Sequence, residues 1–118
     1  MSFQHRLTRR DLEYVKTAET RRVSGKHFSV TISTLQEGAA HSKFACIVPK
    51  QVASRAVERN SIKRKCRESA RVHVQKVKEP IAFVFRGKKG LGTVSFKDID
   101  RDIRSLVENL MDRIQYRQ

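Results

Sequence analysis

The stretch Ile81-Ala82-Phe83-Val84-Phe85 is apolar on both sides of an extended chain. A strand of that kind has no solvent face, so it belongs in the middle of a covered sheet. Pro80 stands just before it, and a basic loop, Arg86-Gly87-Lys88-Lys89-Gly90, follows. The other segments must supply the neighbouring strands and the cover. With 118 residues, of which 38% are hydrophobic, the core is modest and belongs to one domain, 1–118. Its ends, 1–6 and 115–118, are expected to be flexible.

The flanking elements read as follows. Thr8 is placed to cap a helix over 9–18, with Asp11 at the capping-box position and Leu7 and Leu12 as a hydrophobic staple. Arg22 to Ser24 suits a short extra strand. From His27 to Thr34 the chain alternates, with Phe28, Val30 and Ile32 on one side and Ser29, Thr31 and Ser33 on the other, a half-buried strand. A turn is expected from Glu37-Gly38 to Ser42, then a strand over 43–48 that Pro49 ends. Ile62, Cys66, Ala70 and Val74 recur every four residues, with Ser69 and His73 beside them, as the apolar stripe of a helix from about 52–54 to 75. Ser95 caps a last helix whose buried face is Ile99, Ile103, Leu106, Leu110 and Ile114. Asp98, Asp100 and Asp102 suit the dipole at its start. The order α-β(β)β-α-β-α predicts an α+β sandwich of one sheet packed with helices.

Charge is unevenly placed. Lys and Arg number 26 against 12 Asp and Glu, a net +14. Residues 97–118 hold five basic and five acidic side chains, so the excess lies in 1–96. Lys50 to Arg71 alone carries eight basic and two acidic residues. A concentrated field of one sign suits a partner rich in phosphates better than a small neutral substrate. Arg55, Arg59, Lys63, Arg67 and Arg71 recur at four-residue spacing, and Arg64 and Lys65 widen the row. Each step drifts by about 40° around a helix, giving a slowly winding cationic ridge. Like charges at that spacing repel. Phosphate oxygens paired with guanidinium forks offset that repulsion.

The stretch from Phe44 to Arg71, with Arg59, Asn60, Lys63, Arg64 and Arg67 at fixed offsets behind a strand and turn, resembles the signature of the bacterial ribonuclease P protein subunit. The family pattern runs Arg-Asn-Arg-x-Lys-Arg-x-x-Arg on a helix. Ser61 stands where the family usually has a basic residue, and Gln51 where a second Lys is common. The family's first helix usually carries two aromatics, and here it offers Tyr14.

The resemblance implies the αβββαβα fold, a sandwich of ribosomal-protein-domain type, and a subunit of the ribonucleoprotein that cuts the 5′ leader from precursor tRNA. Catalysis then resides in the RNA subunit with its magnesium ions, and the protein aids substrate affinity and metal binding. The residues expected on the catalytic RNA are Arg55, Arg59, Asn60, Lys63, Arg64 and Arg67. Asn60 can both donate and accept at a ribose or base edge. Tyr14, Phe28 and Thr31 are expected to contact the leader in a cleft between helix and sheet, though Phe28 equally suits the core. Lys50, Arg86, Lys88 and Lys89 would add positive charge at the rim. One protein per RNA, in the cytoplasm, is the expected state.

No residue reads as catalytic. His5, His27, His41 and His73 share no spacing and suit surface or packing roles. Asp98 and Asp102 can share a helix face, but the dipole accounts for them without a metal. Cys46 and Cys66 are too few for a disulfide framework or a zinc cluster, read as core fillers, and point to a reducing compartment. No apolar run approaches the ~20 residues of a membrane helix. Met1 to Arg10 lacks the apolar region of a signal peptide. A structural RNA-binding protein of ribosomal type shares the size and charge and is the main alternative. A protein-only nuclease lacks its carboxylate cluster, and a DNA-binding regulator lacks its helix-turn-helix.

Overall fold

A computed structural model of the chain describes residues 6–35, 38–91 and 94–116. The elements are α1 (Arg9–Thr17), β1 (Thr20–Ser24), β2 (Phe28–Thr34), β3 (Lys43–Ile47), α2 (Ala56–Val74), β4 (Ile81–Gly87) and α3 (Phe96–Tyr116). The expected order is present. Glu37, His5, the side chain of Ile114 and most of the two ends lie outside the described residues.

Four strands form one sheet in the order β1-β2-β4-β3. β2 runs antiparallel to β1 and β4, and β3 runs parallel to β4. The doubly apolar strand is therefore central, as its composition demands. Its two faces differ in size. Phe83 and Phe85 pair in register with Ile32 and Val30 on one side and with Phe44 and Cys46 on the other. This aromatic face packs on α2 and α3 through Ile62, Ala70, Val74, Ile99 and Ile103. The opposite face presents the smaller Ala82, Val84 and Ala45 to Leu7, Leu12 and Val15 at α1. Two long helices thus cover the bulky face, and one nine-residue helix covers the small one.

α1 begins as its cap predicts. Thr8 N–H donates to the Asp11 carboxylate at 2.8 Å, and Asp11 N–H donates to the Thr8 hydroxyl at 3.2 Å. Ahead of it, Leu7 N–H donates to the Phe44 carbonyl at 3.0 Å, fastening the lead-in segment along β3. α2 starts later than expected. The amides of Val52 and Ala53 first turn back on the Pro49 carbonyl. The Arg59 guanidinium then holds the carbonyls of Ala53 and Ser54, at 3.0 and 2.8 Å. In α3, the Ser95 hydroxyl accepts from Asp98 N–H at 3.2 Å.

Three corrections come from contacts distant in sequence. Cys66 sits in the core and half-buried Cys46 packs against it, but their sulfurs are joined as a disulfide that ties β3 to α2. The cysteine count therefore no longer argues for a reducing compartment. Asp102 is more than a dipole partner, because its carboxylate accepts from the backbone N–H groups of Lys26, His27 and Phe28, each at 2.9 Å. Asp100 likewise accepts from the Ser69 hydroxyl at 2.7 Å and lies 2.9 Å from His73 Nε2, joining α3 to α2.

Burial opposes ionisation of Asp11 and Asp100, yet other contacts outweigh it. Bonds from Thr8 and the Lys43 charge lower the Asp11 pKa below its ordinary 3.8. Bonds from Ser69 and His73, with the charges of His73 and Arg104, do the same for Asp100. Both folded values lie below the unfolded ones. Their stabilisation is therefore complete above the unfolded value and is lost as pH falls through the folded one. The melting temperature is expected to drop below about pH 4, and less steeply in Asp100→Asn. Melts across the acid range test this, and an equally steep fall in the variant would remove Asp100 as a contributor.

Candidate nucleic-acid interface

The apolar stripe of α2 faces the sheet, which turns the cationic ridge outward. Arg55, Asn60, Arg64, Arg67 and Arg71 are exposed, and Lys63 is half-buried. Among the described residues none of Arg55, Lys63, Arg64, Arg67 and Arg71 is ion-paired, although Glu58 and Glu68 share the helix. The ridge is a row of charges without internal partners, which an incoming polyanion can neutralise. Arg59 differs, because its guanidinium Nη1 is engaged by the two loop carbonyls. It braces the turn that aims the ridge.

On the other side of the sheet, a groove of about 590 Å³ runs between α1 and the small-residue face. Leu12, Val15 and Lys16 line it from α1, and Thr31, Ile47 and Val84 from the sheet. It exists because one short helix cannot cover the whole face. Arg9 stands at its wall in a loose 3.9 Å pair with Glu13, both exposed. The groove is apolar at its floor with cations at its wall, a combination that suits a single nucleic-acid strand.

The structure sorts the expected cleft residues. Thr31 lines the groove. Tyr14 is half-buried and is not among the lining residues. Phe28 is 0% exposed and faces α2 and α3, so its assignment to the leader is withdrawn. Lys88 is also corrected: its ammonium donates to the Gly25 carbonyl at 2.6 Å and its N–H to the His27 carbonyl at 2.9 Å. It braces the β1–β2 turn rather than the groove. Lys89 is exposed in its loop.

Arg86 is exposed on the groove side, in register with Ile47. Because β3 and β4 are parallel, their ends and the start of α2 gather at one end of the sheet. Exposed Lys50 follows β3 there and Arg55 precedes α2. Positive charge thus connects the groove mouth to the ridge around that end. The groove residues Arg9, Lys16, Ile47 and Val84 were not singled out by sequence. Their signal was periodicity: Arg9, Leu12 and Lys16 share one face of α1, and Val84 points away from Phe83 and Phe85. Among the described residues no three His, Cys, Asp or Glu side chains are grouped to hold a metal ion. Nor is any described helix long and apolar enough to cross a membrane.

Comparison with known proteins bears on this geometry. The sequence profile of the family described as Ribonuclease P matches residues 1–111. The ribonuclease P protein component of Pseudomonas paraeruginosa is 30% identical over 105 residues, 89% of this chain and 76% of that one. The component from Pseudomonas aeruginosa matches to the same extent. The structure of Staphylococcus aureus RNase P protein at 2.0 Å superposes with a TM-score of 0.75 at 18% identity, covering 92% of this chain and 96% of that one. The RNase P protein of Thermotoga maritima gives 0.73 at 23% identity, covering 89% and 96%. At those identities the structural likeness speaks for the fold.

Proposed function

The chain belongs to the ribonuclease P protein family, and from that premise we propose that it binds the catalytic RNA of ribonuclease P through the α2 ridge and holds the 5′ leader of precursor tRNA in the α1 groove. The observation that carries this is the ridge itself, where Arg55, Lys63, Arg64, Arg67 and Arg71 have no ion-pair partner among the described residues. Arg55, Asn60, Lys63, Arg64 and Arg67 act there, and Arg59 sets the turn beside them. Thr31, Val84 and Ile47 form the groove floor, with Lys50 and Arg86 at its mouth. Since ridge and groove lie on opposite sides of one sheet, the protein can hold its RNA partner on one face and an extended leader on the other.

Magnesium belongs to the RNA in this proposal. Among the described residues no three carboxylate, His or Cys side chains are grouped to hold a metal ion, and Asp102 is engaged by three backbone N–H groups and Asp100 by Ser69 and His73. The protein's share of the chemistry is to neutralise phosphates, so that substrate and metal bind the RNA at lower ion concentrations. One protein per RNA completes the proposal.

A cleavage assay on a 5′-extended precursor tRNA, at near-physiological magnesium and salt, tests it. Cutting at the mature 5′ end is expected to be far faster for the protein with a bacterial ribonuclease P RNA than for the RNA alone, and absent for the protein alone. Cleavage by protein alone would overturn the proposal. So would failure to stimulate any bacterial ribonuclease P RNA together with co-purification on ribosomal subunits.

A further inference from the structure

Two large apolar side chains stand exposed beside the arginines of α2. Phe96, the first residue of α3, is 41% exposed, and Val72 of α2 is 47% exposed. They share a shallow groove of about 460 Å³ with Arg64, Arg67, Glu68 and Arg71. Those α2 positions are three, four and seven residues apart, so they form one face of the helix, continuous with the ridge. The apolar stripe of α2 points elsewhere, into the sheet. Neither helix needs this groove to complete the core.

We propose that this groove is a docking site for one unpaired nucleotide of the RNA partner, its base stacked on the Phe96 ring and its flanking phosphates on Arg67 and Arg71. The proposal deepens the RNA-binding function above and rests on it. Charge complementarity selects the occupant: three guanidinium groups and one carboxylate line the site. Arg67 and Arg71 are about 6 Å apart along the helix axis, a span that matches the phosphates on either side of one nucleotide. A paired base inside an A-form helix hides its face, so the exposed ring selects a bulge or loop. Glu68 turns phosphate away from its own position and can accept from a base's exocyclic amine. Val72 supports the edge of the base.

The test compares two short RNA hairpins, one fully paired and one carrying a single bulged 2-aminopurine. Wild-type protein is expected to bind the bulged hairpin about tenfold more tightly and to change its fluorescence. Phe96→Leu keeps an apolar side chain but no ring, and is expected to bind both hairpins alike with an unchanged salt dependence. Phe96→Trp is expected to retain the preference. Equal binding of both hairpins by wild type, or full preference in Phe96→Leu, would overturn the stacking site while leaving the ridge intact. Loss of both hairpins at moderate salt would instead remove RNA binding by α2, and the docking site with it. A drop in melting temperature for Phe96→Leu with the preference kept would show that the ring only packs.

Discussion

Replacing Lys63, Arg64 and Arg67 together by glutamine is expected to weaken binding to ribonuclease P RNA about a hundredfold near 0.15 M salt. The magnitude follows from counterion release. Each phosphate contact contributes a slope of about 0.9 in log affinity against log salt, or about fivefold at that ionic strength. Three contacts therefore multiply to about two orders of magnitude and flatten the slope by about 2.7. Stability is expected to move the other way. These side chains have no ion-pair partners among the described residues, and Lys63 and Arg67 repel each other at i,i+4. Glutamine keeps helix propensity, so the melting temperature should hold or rise slightly. Arg59 stays out of the triple variant because its guanidinium braces Ala53 and Ser54, and removing it would mix loop geometry with charge. Filter binding across a salt series reads both quantities. An unchanged slope would detach α2 from the RNA, and a large loss of melting temperature would show that the variant tests folding instead.

What the sequence made legible is what depends on neighbours a few residues apart. Thr8 and Asp11, or Ser95 and Asp98, are local pairs, and each is found where the capping rule puts it. The central place of β4 follows from the apolarity of both its faces. The exposed ridge follows from the stripe of Ile62, Cys66, Ala70 and Val74 behind it. Alternation grouped Phe28 with Val30 and Ile32 but could not say which side of the sheet would carry the groove. That depended on α1 being short and on Ala82 and Val84 being small, a property of the assembled layers. Asp100, Asp102, Lys88 and the Cys46–Cys66 pair owe their roles to partners 20 or more residues away. Local charge rules gave Asp102 a plausible reason that was incomplete, and gave Lys88 a freedom it does not have.

Asp102→Ala is expected to be the most destabilising change among the charged residues, at about 2–4 kcal/mol. Its carboxylate is the common acceptor for three consecutive backbone N–H groups at the turn between β1 and β2, and so pins that hairpin to α3. Hydrogen bonds to a charged acceptor are worth about 1.5–3 kcal/mol each, but water can replace the one at exposed Lys26. The amides of His27 and Phe28 are less accessible, and Phe28 enters the core directly. For a domain of this size the loss corresponds to roughly 10 °C in melting temperature. Asp102→Asn keeps a neutral acceptor and should fall between wild type and alanine. Gly25 gives an independent check, since a Cβ there would meet Asp102 Oδ1 at 2.7 Å and the Phe28 carbonyl at 2.9 Å. Gly25→Ala should therefore destabilise, and by less than additively in the Asp102→Ala background, because one of its two clashes is already gone. Asp98→Ala supplies the contrast. It lies in the first turn, where the dipole contributes only about 0.3–1 kcal/mol. Thermal melts of the four single variants and the double variant decide the matter. Equal small losses at Asp98 and Asp102 would mean the dipole is the whole effect, whereas a loss several times larger at Asp102 would establish the backbone clasp as a principal tie between the sheet and α3.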